Sequence, residues 1–263
     1  MPQGPKVREA IKAARTARQE LDLGLTGPLP DILTVVEDWA EVPVAILSLP
    51  AGIAGAFGRR RSQPFIFLNG TEPLVRQRFT LAHEFGHYRL GHLPVVDKTE
   101  AIFGKTTNLD EIQARYFAGE FLLPKAAIES WLERNQPQSI DLEVVARLAA
   151  AFGVSAMTAR VRLEICEQLT KKEALALDAA ISSGEHSRLH RRLGLEDTFD
   201  RLAQAQEDLP RLPSIMQEYG FRALEQGFVE VERLADALGR NTAWVEKQMV
   251  ELSITPPEDE PDF

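Results

Sequence analysis

The sequence predicts an α+β fold in which a small three-stranded sheet and a helix bearing a metal-site motif precede helical, helix-turn-helix-like segments. Three observations predict it. Residues 44–68 carry short runs of strand period broken by Gly, Pro and Arg, residues 83–87 read H-E-F-G-H inside a stretch of helical period, and from residue 110 onward apolar positions recur at helical spacing. With 44% apolar residues in 263, the chain can bury the core of one large domain, or of one and a smaller one.

Residues 6–21 have helical period, with Val7, Ile11, Ala14 and Leu21 marking one side. A Gly/Pro loop over 22–30 leads to a second helix over 31–41, with Asp31 as its N-cap and Ile32, Val35, Val36 and Trp39 inward. Strands follow at 44–49, 52–57 and 65–68, and 58–64 (GRRRSQP) is the turn between the last two. The triple arginine 59–61 is expected to be a solvated hairpin tip. Residues 71–92 form the motif helix, 93–109 a loop, 110–123 a helix stopped by Pro124, and 125–134 a further helix.

On the motif helix, His83 and His87 lie one turn apart on one face, with Glu84 about 100° round from His83. Two neutral imidazoles so placed can share a Zn²⁺ at about 2.0–2.1 Å, and the neighbouring carboxylate can take a proton from the attacking water. Phe79, Leu81, Ala82, Phe85 and Leu90 occupy the other side, Gly86 permits close approach of a neighbour, and Gly91 is suited to end the helix.

A catalytic zinc site takes three protein ligands and leaves the fourth position to water, so a third ligand must be found. His92 does not fit the elongated pattern, which needs Gly at 90 and His at 93 where this chain has Leu90 and Leu93. His92 is therefore expected to touch a ligand or to end the helix in solvent. The carboxylate candidates are Asp97, Glu100, Asp110, Glu111 and Glu120. Glu111 falls in the first turn of a helix whose Ala114 and Ala118 allow close approach, and Asp110 is expected to cap that helix.

The stretch RQRFTLAHEFGHYRLGH (76–92), followed by E-I-Q-A-R-Y-F-A-G-E-F-L-L-P (111–124), resembles the ImmA/IrrE family of zinc metallopeptidases. The resemblance covers roughly residues 30–165. It implies a zincin-like core over 1–135, a gluzincin-like zinc endopeptidase activity, His83, His87 and Glu111 as zinc ligands, and Glu84 as general base. Zn²⁺ is the expected ion, with Mn²⁺ as the alternative. The resemblance also implies a protein substrate, a helix-turn-helix transcriptional repressor, cut in a stress, DNA-damage or mobile-element response.

One position departs from the family. Arg115 stands where Asn is usual, and a guanidinium only donates and is repelled by a cation. Arg115 either turns away to pair with an acid or stabilises the oxyanion, and Tyr88 and Tyr116 are the other oxyanion candidates. The rival to the peptidase is a non-catalytic repressor-binding or antitoxin-type partner protein whose metal is structural.

Residues 141–167 have a helix-turn-helix pattern, with Ala149 four before Gly153, and are expected as a helical subdomain over 136–169. RLAAAFG (147–153) is echoed by RLADALG (233–239) in a C-terminal helical module over 170–255, a candidate homodimer surface. Its helices are expected at 199–209, 215–224 and 229–252. Between the two echoes, a helix from 170 ends in a basic hinge, 182–192. There His186 and His190 form a second i, i+4 pair, read as a surface pair because it lacks the motif's Glu after the first histidine and any apolar helix face.

Charge disfavours direct DNA binding. Residues 1–125 hold 15 basic and 14 acidic side chains, whereas 126–263 hold 15 and 25, and 256–263 reads as an acidic disordered tail. The single cysteine, Cys166, fits a reducing compartment, and no apolar run nears 18 residues. A cytoplasmic protein with neither membrane span nor signal peptide is expected.

Overall fold

The computed structural model describes residues 4–255, so the acidic tail expected over 256–263 lies outside the described residues. Helix α1 (Pro5–Glu20) starts with proline at its first position, where the missing N–H has no helical partner to lose. Ala10, Ala14 and Ala17 are buried on one stripe, and this small-residue face lies against α5 (Leu109–Leu122). Arg18 is buried beside them. Its guanidinium donates to the carbonyls of Gly24 and Phe121, each at 2.7 Å, and of Gly27 at 2.8 Å, which ties the 21–30 loop to α5.

Helix α2 (Ile32–Thr34) is capped by Asp31 and runs on as a π-helical turn, Val35–Trp39. Trp39, expected inward, is 47% exposed, because the wider turn shifts every later side chain around the axis. Glu37 is buried instead, accepting from the Val44 amide and pairing with Arg211.

The sheet has four strands rather than three: β1 (Val44–Leu47), β2 (Ile53–Arg60), β3 (Gln63–Asn69) and β4 (Val95–Lys98), in the order β1-β3-β2-β4. β1 runs parallel to β3, while β2 is antiparallel to β3 and to β4. The fourth strand and a short helix, α4 (Thr99–Phe103), occupy the stretch expected to be a loop. A strand of four residues gives only a weak alternation, and here the inward position is the charged Asp97 rather than an apolar residue. The hairpin is also tighter than expected, since pairing runs to Arg60↔Gln63 and the turn shrinks to Arg61 and Ser62, with Arg61 at φ +56°.

Helix α3 (Leu74–Leu90) lies on β2 and β3 and ends at Gly91, whose φ of +73° is the left-handed conformation that glycine accepts most readily. α5 packs on the far side of α3. Gly86 makes the close contact possible: a Cβ there would stand 3.0 Å from the Phe117 ring of α5. An ion-pair network locks the other face of α5, where Glu120 accepts from Arg15 at 2.7 Å and pairs with the buried Arg162.

Helices α6 (Lys125–Asn135), α7 (Leu142–Phe152), α8 (Ala156–Ile165) and α9 (Lys171–Ser182) complete one apolar cluster that extends from Ala10 to Ile181. The divisions read from sequence at 135/136 and 169/170 thus fall inside this cluster. Gly153 in left-handed conformation joins α7 to α8 at 105°. The expected basic hinge is a helix, α10 (Glu185–Arg192), followed by α11 (Glu196–Ala203). A second, smaller cluster is built by α12 (Ser214–Glu225), α13 (Val231–Leu238) and α14 (Thr242–Leu252). Among the described residues no single helix is long and apolar enough to cross a membrane.

Candidate metal centre

Four side chains from three elements converge: His83 and His87 from α3, Asp97 from β4 and Glu111 from the first turn of α5. One ligand atom from each lies within 4.8 Å of all the others, and the four residues are between 0% and 4% exposed. The two Nε2 atoms stand 3.0 Å apart, Asp97 Oδ2 is 3.2 Å from His83 Nε2 and 3.4 Å from His87 Nε2, and the Glu111 oxygens are 3.2 and 3.6 Å from the same nitrogens. Two nitrogens sharing one tetrahedral ion at about 2.0–2.1 Å would stand about 3.3 Å apart, so the donors fit a small divalent cation.

The electrostatics point the same way. Burial works against a charged His83, but the carboxylates of Asp97 and Glu111 outweigh it and raise its pKa. Burial likewise opposes ionised Asp97, yet His83 and His87 hold its carboxyl below the usual range. Glu84 is the contrasting group. Buried at 0% exposure, with neither carboxylate oxygen hydrogen-bonded, it has a pKa pushed well above the ordinary carboxylate value, first by burial and then by the charges of Asp97 and Glu111. A divalent cation in the cluster would act in the opposite direction, favouring its ionised form. Glu84 rests against the backbone of β2, where a Cβ on Gly55 would come within 2.9 Å of its Oε1.

The other singled-out residues fall around this cluster. His92 meets His87 through their Nδ1 atoms at 2.9 Å, which leaves the Nε2 of His87 turned to the cluster, and its own Nε2 is 3.6 Å from Asp110. Asp110 does not cap α5; Asn108 does, accepting from the Asp110 amide at 3.0 Å. Arg115 turns from the cluster and donates to the Gly104 carbonyl at 2.6 Å, so its partner is a backbone oxygen rather than an acid. Tyr116 lines a cavity of about 460 Å³ between α4, α5 and α8, and Tyr88 packs on Phe57 and Phe85. Glu120 belongs to the Arg15–Arg162 network, and Glu100 is exposed on α4.

Asp97 is the residue that sequence reasoning weighed but did not select. The available signal was parity: Val95 and Asp97 share one face of a strand and Val96 and Lys98 the other, and the observed burial follows that alternation.

Residues 40–164 match the family model of the IrrE N-terminal-like domain of peptidase family M78. The match supports reading these residues as a peptidase domain similar to that of the ImmA/IrrE family. The matched span contains all four clustered donors and Glu84. No curated protein matches the chain.

Proposed function

We propose that the chain is a zinc-dependent endopeptidase. What carries this reading is the juxtaposition of two imidazoles and a distant carboxylate, His83, His87 and Glu111, with an unpartnered carboxylate, Glu84, on the next residue of the same helix. A cation held by those donors would supply Lewis acidity to the scissile carbonyl and to the attacking water. Glu84 removes the water proton and delivers it to the leaving amine. Its wall of β2 backbone at Gly55 fixes the carboxylate, and His92 fixes the ring of His87.

The extended substrate pairs with a sheet edge. Of the two edges, β1 is bridged by Arg211, whose amide and carbonyl bond Ile46 at 2.8 and 2.7 Å. The other edge is β4, beside the cluster, and among the described residues its outer side has no strand partner. The receptive edge is thus β4. The substrate is a helix-turn-helix repressor, cut in response to stress or a mobile-element signal, in line with the family resemblance.

The test is co-expression of the chain with the repressor encoded beside it, followed by mass analysis of fragments. Wild type yields two fragments, and Glu84→Gln yields none while retaining its metal. Cleavage by Glu84→Gln at the wild-type rate refutes the assigned role. A second reading, a non-catalytic partner with a structural metal, is favoured by one observation: Asp97 makes a fourth protein donor, and closed four-donor sites are structural. Repressor binding with equal affinity by wild type and Glu84→Gln, without fragments from either, would decide for it.

A further inference from the structure

The four donors are not held alike. His83 and His87 project from the buried face of a 17-residue helix, and Glu111 from a helix packed on both α1 and α3. Asp97 comes from a four-residue strand with one hydrogen-bonded neighbour, β2. That pairing is itself irregular at this point, because the register shifts between Ile53 and Gly55, and Gly55 is the partner of Asp97. Val95 leans on the core from the same face as Asp97, whereas Val96 on the opposite face is 64% exposed and Leu93, just before the strand, 82% exposed, so the strand is covered on one face only. Four protein donors close a tetrahedral ion, whereas hydrolysis needs one position free.

We infer that Asp97 is a displaceable fourth ligand which keeps the metal centre closed at rest and leaves it when β4 is engaged by a peptide. This deepens the peptidase reading and rests on it. The strand that receives the substrate is then the strand that carries the closing donor, so recognition and opening are one movement. The coupling has a physical basis: a new partner along the free edge of β4 re-pairs its backbone, and a side chain on so short a strand moves with that backbone. Asp97 here is a positioning and gating group, and Glu84 remains the base.

The experiment uses the full chain stripped of metal and reloaded with Co²⁺, comparing wild type with Asp97→Ala and Asp97→Asn. Three readouts are taken: the visible absorption of bound Co²⁺, the affinity for Co²⁺, and the affinity of the loaded protein for acetohydroxamate, a small chelating probe. Both variants are expected to change the absorption and to bind Co²⁺ more weakly by about 10- to 100-fold, while binding acetohydroxamate at least about tenfold more tightly, since the competing donor is gone. Unchanged absorption in both variants would show that Asp97 is not a ligand and overturn the inference. Changed absorption with unaltered or weakened acetohydroxamate binding would make Asp97 a permanent ligand and overturn it equally. Loss of fragments in the repressor assay alongside the expected optical changes would remove the peptidase reading while leaving Asp97 as a displaceable donor.

Discussion

The chain contains two pairs of histidines spaced i, i+4, and they come to opposite ends. His83 and His87 meet two carboxylates delivered by β4 and α5, and the charge of those carboxylates raises the pKa of His83 despite complete burial. His186 and His190 lie on the eight-residue α10, with ring centroids 5.4 Å apart, and His190 stacks on Phe199 of α11 at 3.4 Å. Burial, together with the neighbouring charge of His186, lowers the pKa of His190 to about 4, so this imidazole is held neutral. Spacing on a helix supplies two nitrogens; what turns them into a metal centre is the acid that other elements bring to them.

The comparison can be broken most severely at His83. His83→Ala should abolish stoichiometric zinc in the purified protein and with it all cleavage, a larger loss than the roughly 10–100-fold that removal of an outer partner causes. His186→Ala should leave metal content, read by atomic emission, unchanged. Next in size is Glu84→Gln, which should reduce the cleavage rate by about 10²- to 10⁴-fold at unaltered metal content. A parallel loss of metal would mean that Glu84 is a ligand and not a base.

Chelation sharpens the contrast further. With free zinc at about 100 times its dissociation constant, binding adds about 2.7 kcal/mol to the stability of the fold, so chelator should lower the melting temperature of wild type and of His186→Ala equally. The same treatment should leave His83→Ala unaffected.

The smallest effect concerns pH. Because the folded pKa of His190 lies near 4 and the ordinary value near 6.5, the unfolded chain binds more protons between them. Its contribution to stability is whole above about pH 6.5 and drains as pH falls toward 4. His190→Phe should therefore flatten the decline of melting temperature between pH 7.5 and 5, and an unchanged slope would assign that decline to other groups.

How much of this was legible in sequence follows from how local each feature is. His83, Glu84 and His87 lie within five residues on one helix, so their geometry is written in their spacing. Glu111 needed a second helix with small residues on one stripe, and Ala114 and Ala118 supplied that sign. Asp97 depends on which strand a four-residue segment joins, a pairing decided by tertiary contact. The exposure of Trp39 depends on a π turn that leaves no pattern, and α10 reads as a hinge in sequence because a short helix of seven polar residues and one leucine shows no apolar stripe. The buried Arg18 and the Arg162–Glu120 pair were equally invisible, since Arg18 bonds only backbone carbonyls, one of them 103 positions away, and Arg162 and Glu120 are 42 positions apart.

The Arg211 bridge has a further consequence. By clasping Ile46 on both its amide and its carbonyl, and by ion-pairing with Glu37, the segment after α11 seals one margin of the sheet. Growth of the sheet is thereby made one-directional, and the molecule offers a single adhesive border instead of two. A chain shortened before residue 204 would bare the second border, and two such copies could zip together along it, a hazard that the C-terminal third forestalls without touching the chemistry.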